Sequence, residues 1–414
     1  MLTMETFIIF TSPWGAISLS DETTSSSPTI FQTETQTTNS TLNGGGIEDG
    51  DQQSEFLPWD NPDNVLSLDT QFTITQIMSL FIVTTSTLGV VLNLLNCVVY
   101  AKLGLRDRIN LLLFSLAVAD GAVSVCMLLY TLEVCSSLFL DGGIQPHCPI
   151  LSAVTNNGGA TLYSFTYVSG FVSTLIACER CLCITFPFKA KRLLRTSTAG
   201  VVVLFATVVL FSLHYFISEK YKLRCEYVPS IRASVPVYFA SQFYRDHSTF
   251  VDILNVIVFG STLPFSFVIA TTITTVVTAV KLRRAATWRQ STATVTMGTK
   301  DVALTKMLVA VSCLFVVCNL PNIMIRTTPL FMSEFRIGGK KQNLLLLCVS
   351  VLYCFNTLNS SLNFFFYYTM GSKFRATLRG MFCHREQKLD VVLGFKAPVT
   401  QRCVLTTTML ITPI

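Results

Sequence analysis

Seven long apolar runs divide the chain, at about Ile74–Tyr100, Leu111–Thr131, Gly159–Phe186, Thr198–Ile217, Val251–Val280, Leu304–Ile325 and Leu344–Tyr368, and polar connections separate them. A helix needs about 20 apolar residues to cross a hydrocarbon core, and each run reaches that length. A membrane barrel would instead show segments of about ten residues with alternating polarity. The third and fourth runs are diluted by Gly, Ser and Thr. Small residues suit membrane helices that pack closely. No internal repeat is visible, which argues against a transporter built from duplicated halves. The pattern predicts an all-α membrane protein, a bundle of seven transmembrane helices.

Composition supports this reading. Half of the 414 residues are apolar and 13% are Asp, Glu, Lys or Arg, against about 25% charged in soluble domains. A cytosolic enzyme of ordinary composition and a largely disordered scaffold are excluded. With 14 Cys in 414 residues, so is a disulfide-stapled miniprotein.

Charge is unevenly placed. Residues 1–70 hold 11 acids and no Lys or Arg, among many Ser, Thr, Gln and Gly. They predict a disordered acidic N-terminal tail. Glu5 and Pro13 make its start a poor signal peptide, and Asn39-Ser40-Thr41 is a glycosylation sequon. With the tail outside, the inner connections and helix ends carry 21 basic residues and the outer loops 9. Lys and Arg favour the cytoplasmic side. The expected arrangement is therefore 1–70 outside, a membrane domain over 71–385, and a flexible cytoplasmic tail over 386–414.

A charged side chain at mid-membrane costs about 2.5–3.5 kcal/mol on insertion scales, so it marks a candidate site. Asp120 lies inside the second run, and Glu179-Arg180 closes the third. A hydrogen-bonded structural carboxylate and a snorkelling interfacial pair are the plainer readings.

The polar residues also fall into a sequence of motifs. Gly89 and Asn93 lie in the first run, and Leu116-Ala117-x-x-Asp120 in the second. Glu179-Arg180-Cys181 with Ile184 and Pro187 ends the third, and Pro264 lies in the fifth. Phe315-x-x-Cys318-Asn319-x-Pro321 forms the sixth, and Asn359-Ser360-x-x-Asn363-Phe364-x-x-Tyr367 the seventh, with Phe374 following. In this order they resemble the rhodopsin-like (class A) G-protein-coupled receptors over about residues 74–385, with a pattern like that of divergent invertebrate, molluscan-type peptide or chemosensory receptors. Cys181, Asn319 and Phe364 depart from the family's usual Tyr, Trp and Pro, and the fourth run has no Trp.

The resemblance implies a plasma-membrane receptor with a short amphipathic eighth helix. It would bind an extracellular peptide or small chemosensory molecule and activate a heterotrimeric G protein through outward movement of the sixth helix. Glu179, Arg180, Asp301, Pro321 and Tyr367 would form the coupling switch, with Arg180–Asp301 as a latch; Asp301 could equally cap its helix. Asp120, Ser169, Asn359, Ser360 and Asn363 match the family's sodium cluster, with oxygen donors that suit a hard cation. A water-filled polar network is the alternative. No cofactor is required, and sodium would act as an allosteric ligand. Pro264 and Pro321 remove backbone donors and kink their helices. Leu162, Thr166, Asn319, Asn322, Arg326 and Tyr353 occupy pocket positions. Leu162 stands where amine receptors carry Asp, and Thr357 where opsins carry the retinal Lys. Cys148 and Cys225 are candidates for the outer disulfide, with Cys135 a competing partner. Cys383 is a palmitoylation candidate or a free thiol. Arrestin and a receptor kinase would be further partners, alongside membrane lipid and no nucleic acid.

Arg326 with Lys220, Lys222, Arg224, Arg336, Lys340 and Lys341 makes the expected outer mouth basic, which suits an anionic group; interfacial snorkelling would place them equally well. The main alternative function is a multi-span transporter or channel. Metalloprotease, nucleophile-elbow and phosphate-loop motifs are all missing from the sequence, so an enzyme is not expected.

Overall fold

The computed structural model describes the backbone of residues 65–139, 148–186, 190, 195–228, 233–291, 299–332, 334–335 and 340–381. Asn39 and Cys383 lie outside the described residues, as do most of the acidic tail and the segment after 381. The side chains of Cys148, Cys225 and Asp301 are outside the description too.

The seven apolar runs form seven helices long and apolar enough to cross a membrane. They are α1 (Leu68–Leu103), α2 (Arg108–Phe139), α3 (Cys148–Thr185), α4 (Thr196–Ser218), α5, α6 (Thr299–Phe331) and α7 (Gln342–Met370). The α5 span runs through three joined stretches, Gln242–Asp252, a π-helical Ile253–Thr262, and Leu263–Ser291. A short helix α8 follows at 372–381. The caps match the residues available. The Ser67 hydroxyl accepts from Thr70 N, and Gly104, at φ 95°, takes a left-handed backbone that closes α1.

Neighbouring helices pack in sequence order, and α1 also packs on α7, so the bundle closes into a ring. Helix α3 lies centrally, against α2, α4, α5 and α6. Gly89 sets the closest approach: a Cβ there would sit 2.5 Å from both Ser124 Oγ and Ser361 Oγ, on α2 and α7. The many Ser and Thr residues satisfy themselves along their own helices. Ser79, Ser115, Ser124, Thr131 and Thr174 each donate to the carbonyl four residues back. Where lipid offers no hydrogen bonds, this bonding lets polar residues stay inside a membrane helix. Val201, Leu204, Phe205 and Val208 leave an exposed apolar face on α4, as a lipid-facing helix requires.

One connection differs from expectation. The stretch 218–250 reads as a plain loop, yet it contains an antiparallel hairpin, β1 (Tyr221–Val228) and β2 (Ala233–Ala240), pairing Tyr221 with Ala240 and Val228 with Ala233. Helix α5 then begins at Gln242 rather than near Val251. The Ser241 hydroxyl accepts from Tyr244 N at 3.0 Å and starts it early. Lys220 anchors the hairpin's base. It is fully buried, bonds Asp252 at 2.9 Å, and lies 4.7 Å from the Tyr244 ring centroid. A polar run with short alternating strands gives no helical period, so it is invisible to a search for apolar spans.

Candidate functional sites in the helix bundle

At the end opposite the hairpin, Glu179 is buried and shared by two guanidinium groups. Arg108 Nε donates to Oε1 at 2.7 Å, and Arg180 donates to the same carboxylate through Nη2 at 2.6 Å. Cys183 Sγ lies 3.4 Å from Oε1 and 3.2 Å from Arg108 Nη2. Two guanidinium groups around one buried carboxylate offset its desolvation. Arg180 is thus held by its own neighbour, whose carboxylate also ties α3 to α2.

Tyr367 is also at this end, almost fully buried. Its ring meets Tyr100 edge-on at 5.5 Å and Phe374 at 5.8 Å, which joins α1, α7 and α8. Phe364 packs on Phe374 at 5.7 Å. With Phe in place of Pro, nothing interrupts the backbone ladder, and α7 continues to Met370. A cleft lined by Tyr100, Asp107, Asn110, Met307, Lys373 and Phe374 opens between these elements.

Midway along the bundle, Asp120 has no exposure. Ser169 Oγ donates to its Oδ1 at 2.6 Å, and Asn363 Nδ2 to its Oδ2 at 2.8 Å. Asn93 Nδ2 donates to the Ser360 carbonyl at 2.8 Å and to the Gly89 carbonyl at 3.0 Å. Helices α1, α2, α3 and α7 therefore meet in one polar layer. The donors on the carboxylate are neutral, and the surrounding oxygens are hydroxyl, amide and carbonyl; this set fits a hard monovalent cation.

Toward the hairpin end, Arg326 on α6 donates Nε to Asn322 Oδ1 at 2.6 Å and lies 5.1 Å from the Tyr163 ring centroid. Tyr163 and Tyr353 hydroxyls are 3.3 Å apart. Tyr130 meets Tyr353 edge-on at 5.8 Å. His214 from α4 stacks on Tyr163 at 6.1 Å and meets Phe259 at 4.2 Å. The Tyr167 hydroxyl donates to the Phe259 carbonyl, inside the π-helical stretch. A π-turn replaces the α-helical i→i+4 bonding with i→i+5 and so frees backbone groups for such outside partners.

The expected residues separate into those gathered and those left apart. Asp120, Ser169 and Asn363 come together, and Ser360 joins through its carbonyl. Among the described residues no hydrogen bond links Asn359 to them. Leu162 is buried, and the Thr166 hydroxyl turns back to its carbonyl at 2.9 Å. Asn319 Nδ2 likewise donates back to Phe315 O at 2.8 Å. Asn322, Arg326 and Tyr353 do converge. Pro321 lies within α6, one residue before Asn322. Arg108, Tyr163, Tyr167 and His214 were missed. Three are single residues in or beside apolar runs, and only contacts between helices reveal them. His214 carried a signal, since it is a polar ring inside the fourth apolar run.

A closed ring of seven helices able to cross a membrane defines a seven-transmembrane protein. Residues 80–385 of the 414 match the family model of the serpentine type 7TM GPCR chemoreceptor Srw. The chain belongs to that family of G-protein-coupled chemoreceptors and is a multi-pass membrane protein. This is a family of receptors and not of enzymes, and it displaces the transporter or channel alternative. Comparison with curated proteins returned no match.

Proposed function

We propose that this chain works as a rhodopsin-like chemoreceptor of the plasma membrane, of a divergent invertebrate type. Its N-terminus and hairpin face outside, and its C-terminus faces the cytosol. An extracellular ligand, a peptide or small chemosensory molecule, binds among the helices at the hairpin end. Helix α6 then swings outward at the opposite end and frees Arg180 for a heterotrimeric G protein. The observation that carries this reading is the Glu179 carboxylate shared by Arg108 and Arg180. It holds a guanidinium ready at the end of α3, in a contact that a moving helix could break. Asp301, near the start of α6, would be an alternative partner for Arg180. Pro321 lets α6 act as a lever.

Asp120, Ser169, Asn363 and Ser360 would hold a sodium ion that favours the resting state, with Asn359 entering its shell. A Cys148–Cys225 bridge, a glycan on Asn39 and a lipid on Cys383 complete the proposal, with a receptor kinase and arrestin ending the signal.

The test is nucleotide exchange on purified G proteins by receptor in lipid nanodiscs. Arg180→Ala, at equal surface expression, is expected to abolish exchange. Normal exchange by that variant would overturn the reading.

A further inference from the structure

We infer that the ligand carries a carboxylate beside a flat apolar body, with the carboxylate paired to Arg326 and the body lying against Tyr163 and Tyr353. The inference rests on the receptor reading above and names the chemistry of its ligand.

The basic residues near the hairpin end are not equivalent. Lys220, Lys222 and Lys341 are each paired with an acid, namely Asp252, Glu219 and Glu334. Among the described residues, Arg326 has no carboxylate partner. Its Nε is held by a neutral amide oxygen, and its plane lies over an aromatic ring. Tyr163, Tyr167 and Tyr353 from α3 and α7 lie within electrostatic reach of it, as does His214 from α4. A guanidinium has five donors arranged as a fork; Asn322 takes Nε and the Tyr163 hydroxyl takes a share of the rest, which leaves part of the fork for a further acceptor. A planar carboxylate is the natural bidentate partner for what remains.

A second observation points the same way. His214 is only 4% exposed, and among the described residues its Nδ1 has no hydrogen-bond partner. It stacks on the ring that lies under Arg326. A buried polar atom without a partner needs an explanation, and a ligand oxygen reached from the same aromatic wall supplies one. The neighbouring groups supply the second half of the specificity. Tyr130, Tyr163 and Tyr353 present ring faces and edges, which favour a flat apolar body. Leu162, buried nearby on α3, offers no anion to compete for the guanidinium or to attract an amine.

Two sources could present this chemistry, a small aryl acid or the free C-terminus of a peptide ending in an aromatic residue. The experiment separates them. Full-length receptor in nanodiscs is heated at constant ionic strength with 3-phenylpropionate or its primary amide, and in parallel with Gly-Gly-Phe or its C-terminal amide. Either acid is expected to raise the melting temperature with half-saturation at least tenfold below that of its amide, and the responding pair identifies the source. Arg326→Gln is expected to remove the difference between acid and amide. Equal effects of acid and amide on the wild type, or no effect of any of the four, overturn the inference without need of a variant. So does an acid preference that survives in Arg326→Gln. Nucleotide exchange on the same preparations keeps the two readings apart. Acid binding with no exchange under any condition sinks the signalling role alone, whereas exchange by a receptor indifferent to ligand charge sinks the carboxylate alone.

Discussion

Arg108 Nε donates to Glu179 Oε1 at 2.7 Å, between residues 71 positions apart, and so fastens the first residue of α2 to the far end of α3. Arg180 donates to the same carboxylate. Two cations therefore depend on one acid, and removing the acid releases both.

Glu179→Gln is accordingly expected to raise ligand-independent nucleotide exchange about fivefold or more, the scale of a coupling of about 1 kcal/mol. Arg108→Ala should raise it less, because Glu179 keeps Arg180. The double variant should exceed Glu179→Gln little, since the two residues act as one unit. Basal exchange unchanged in Glu179→Gln would refute the restraint.

Asp120→Asn tests the cation proposal with no ligand needed. The wild-type receptor is expected to melt at a higher temperature in sodium chloride than in choline chloride at equal ionic strength. Asparagine can still accept from Ser169, but it loses the charge that attracts the ion. The sodium-dependent shift should vanish in the variant; a shift of the same size would leave only a polar network at this site.

Gly89→Ala places a methyl group 2.5 Å from two hydroxyl oxygens on different helices. Overpacking of this kind costs about 1–3 kcal/mol, so the melting temperature and surface expression should fall. Adding Ser124→Ala and Ser361→Ala should recover part of the loss. A Gly89→Ala receptor as stable as wild type would show that the three helices part easily.

Tyr367→Ala removes a buried ring between Tyr100 and Phe374 and should cost about 3–5 kcal/mol, as large-to-small core changes do. Tyr367→Phe keeps the ring and should lose far less. Equal losses in the two variants would mean that the hydroxyl, and not ring packing, holds α7 to α8.

Lys220→Met leaves Asp252 without its cation and with only the Tyr244 hydroxyl donating to it, although Met matches the stem's volume. Breaking one side of a fully buried pair costs about 3–5 kcal/mol, and the loss here should be smaller because the Asp252 side chain is 29% exposed. Limited proteolysis within 218–240 should accelerate, because Lys220 ties the hairpin base to α5. Unchanged cleavage would assign the hairpin's position to its other contacts.

The helices were legible because their cause is local. Runs of Leu, Val, Ile and Phe long enough to span a bilayer announce themselves, and the expected limits agree within two residues for α4 and α7, whereas α2 ends later, α3 begins earlier and α5 extends further at both ends than expected. Asp120 and Glu179-Arg180 were equally plain, since a charge within an apolar run stands out against its neighbours. Their partners were less so. Nothing near Arg108 in sequence separates it from an interfacial cation, and its role exists only because α2 begins beside the end of α3. The same holds for Tyr163 and His214, which look like core aromatics until α3 and α4 bring them to Arg326.

The sequence by itself determined how many helices there are, where the apolar ones run and which charges must find partners, because apolar length and the penalty for a buried charge act along the chain. The resemblance already grouped Ser169 and Asn363 with Asp120, but only the tertiary structure decided the other partners: Arg108 alongside Arg180 for Glu179, and Asn322 with an aromatic wall for Arg326. Hydrogen bonds and ring contacts act over a few ångströms, and those distances are set by how the helices pack around α3.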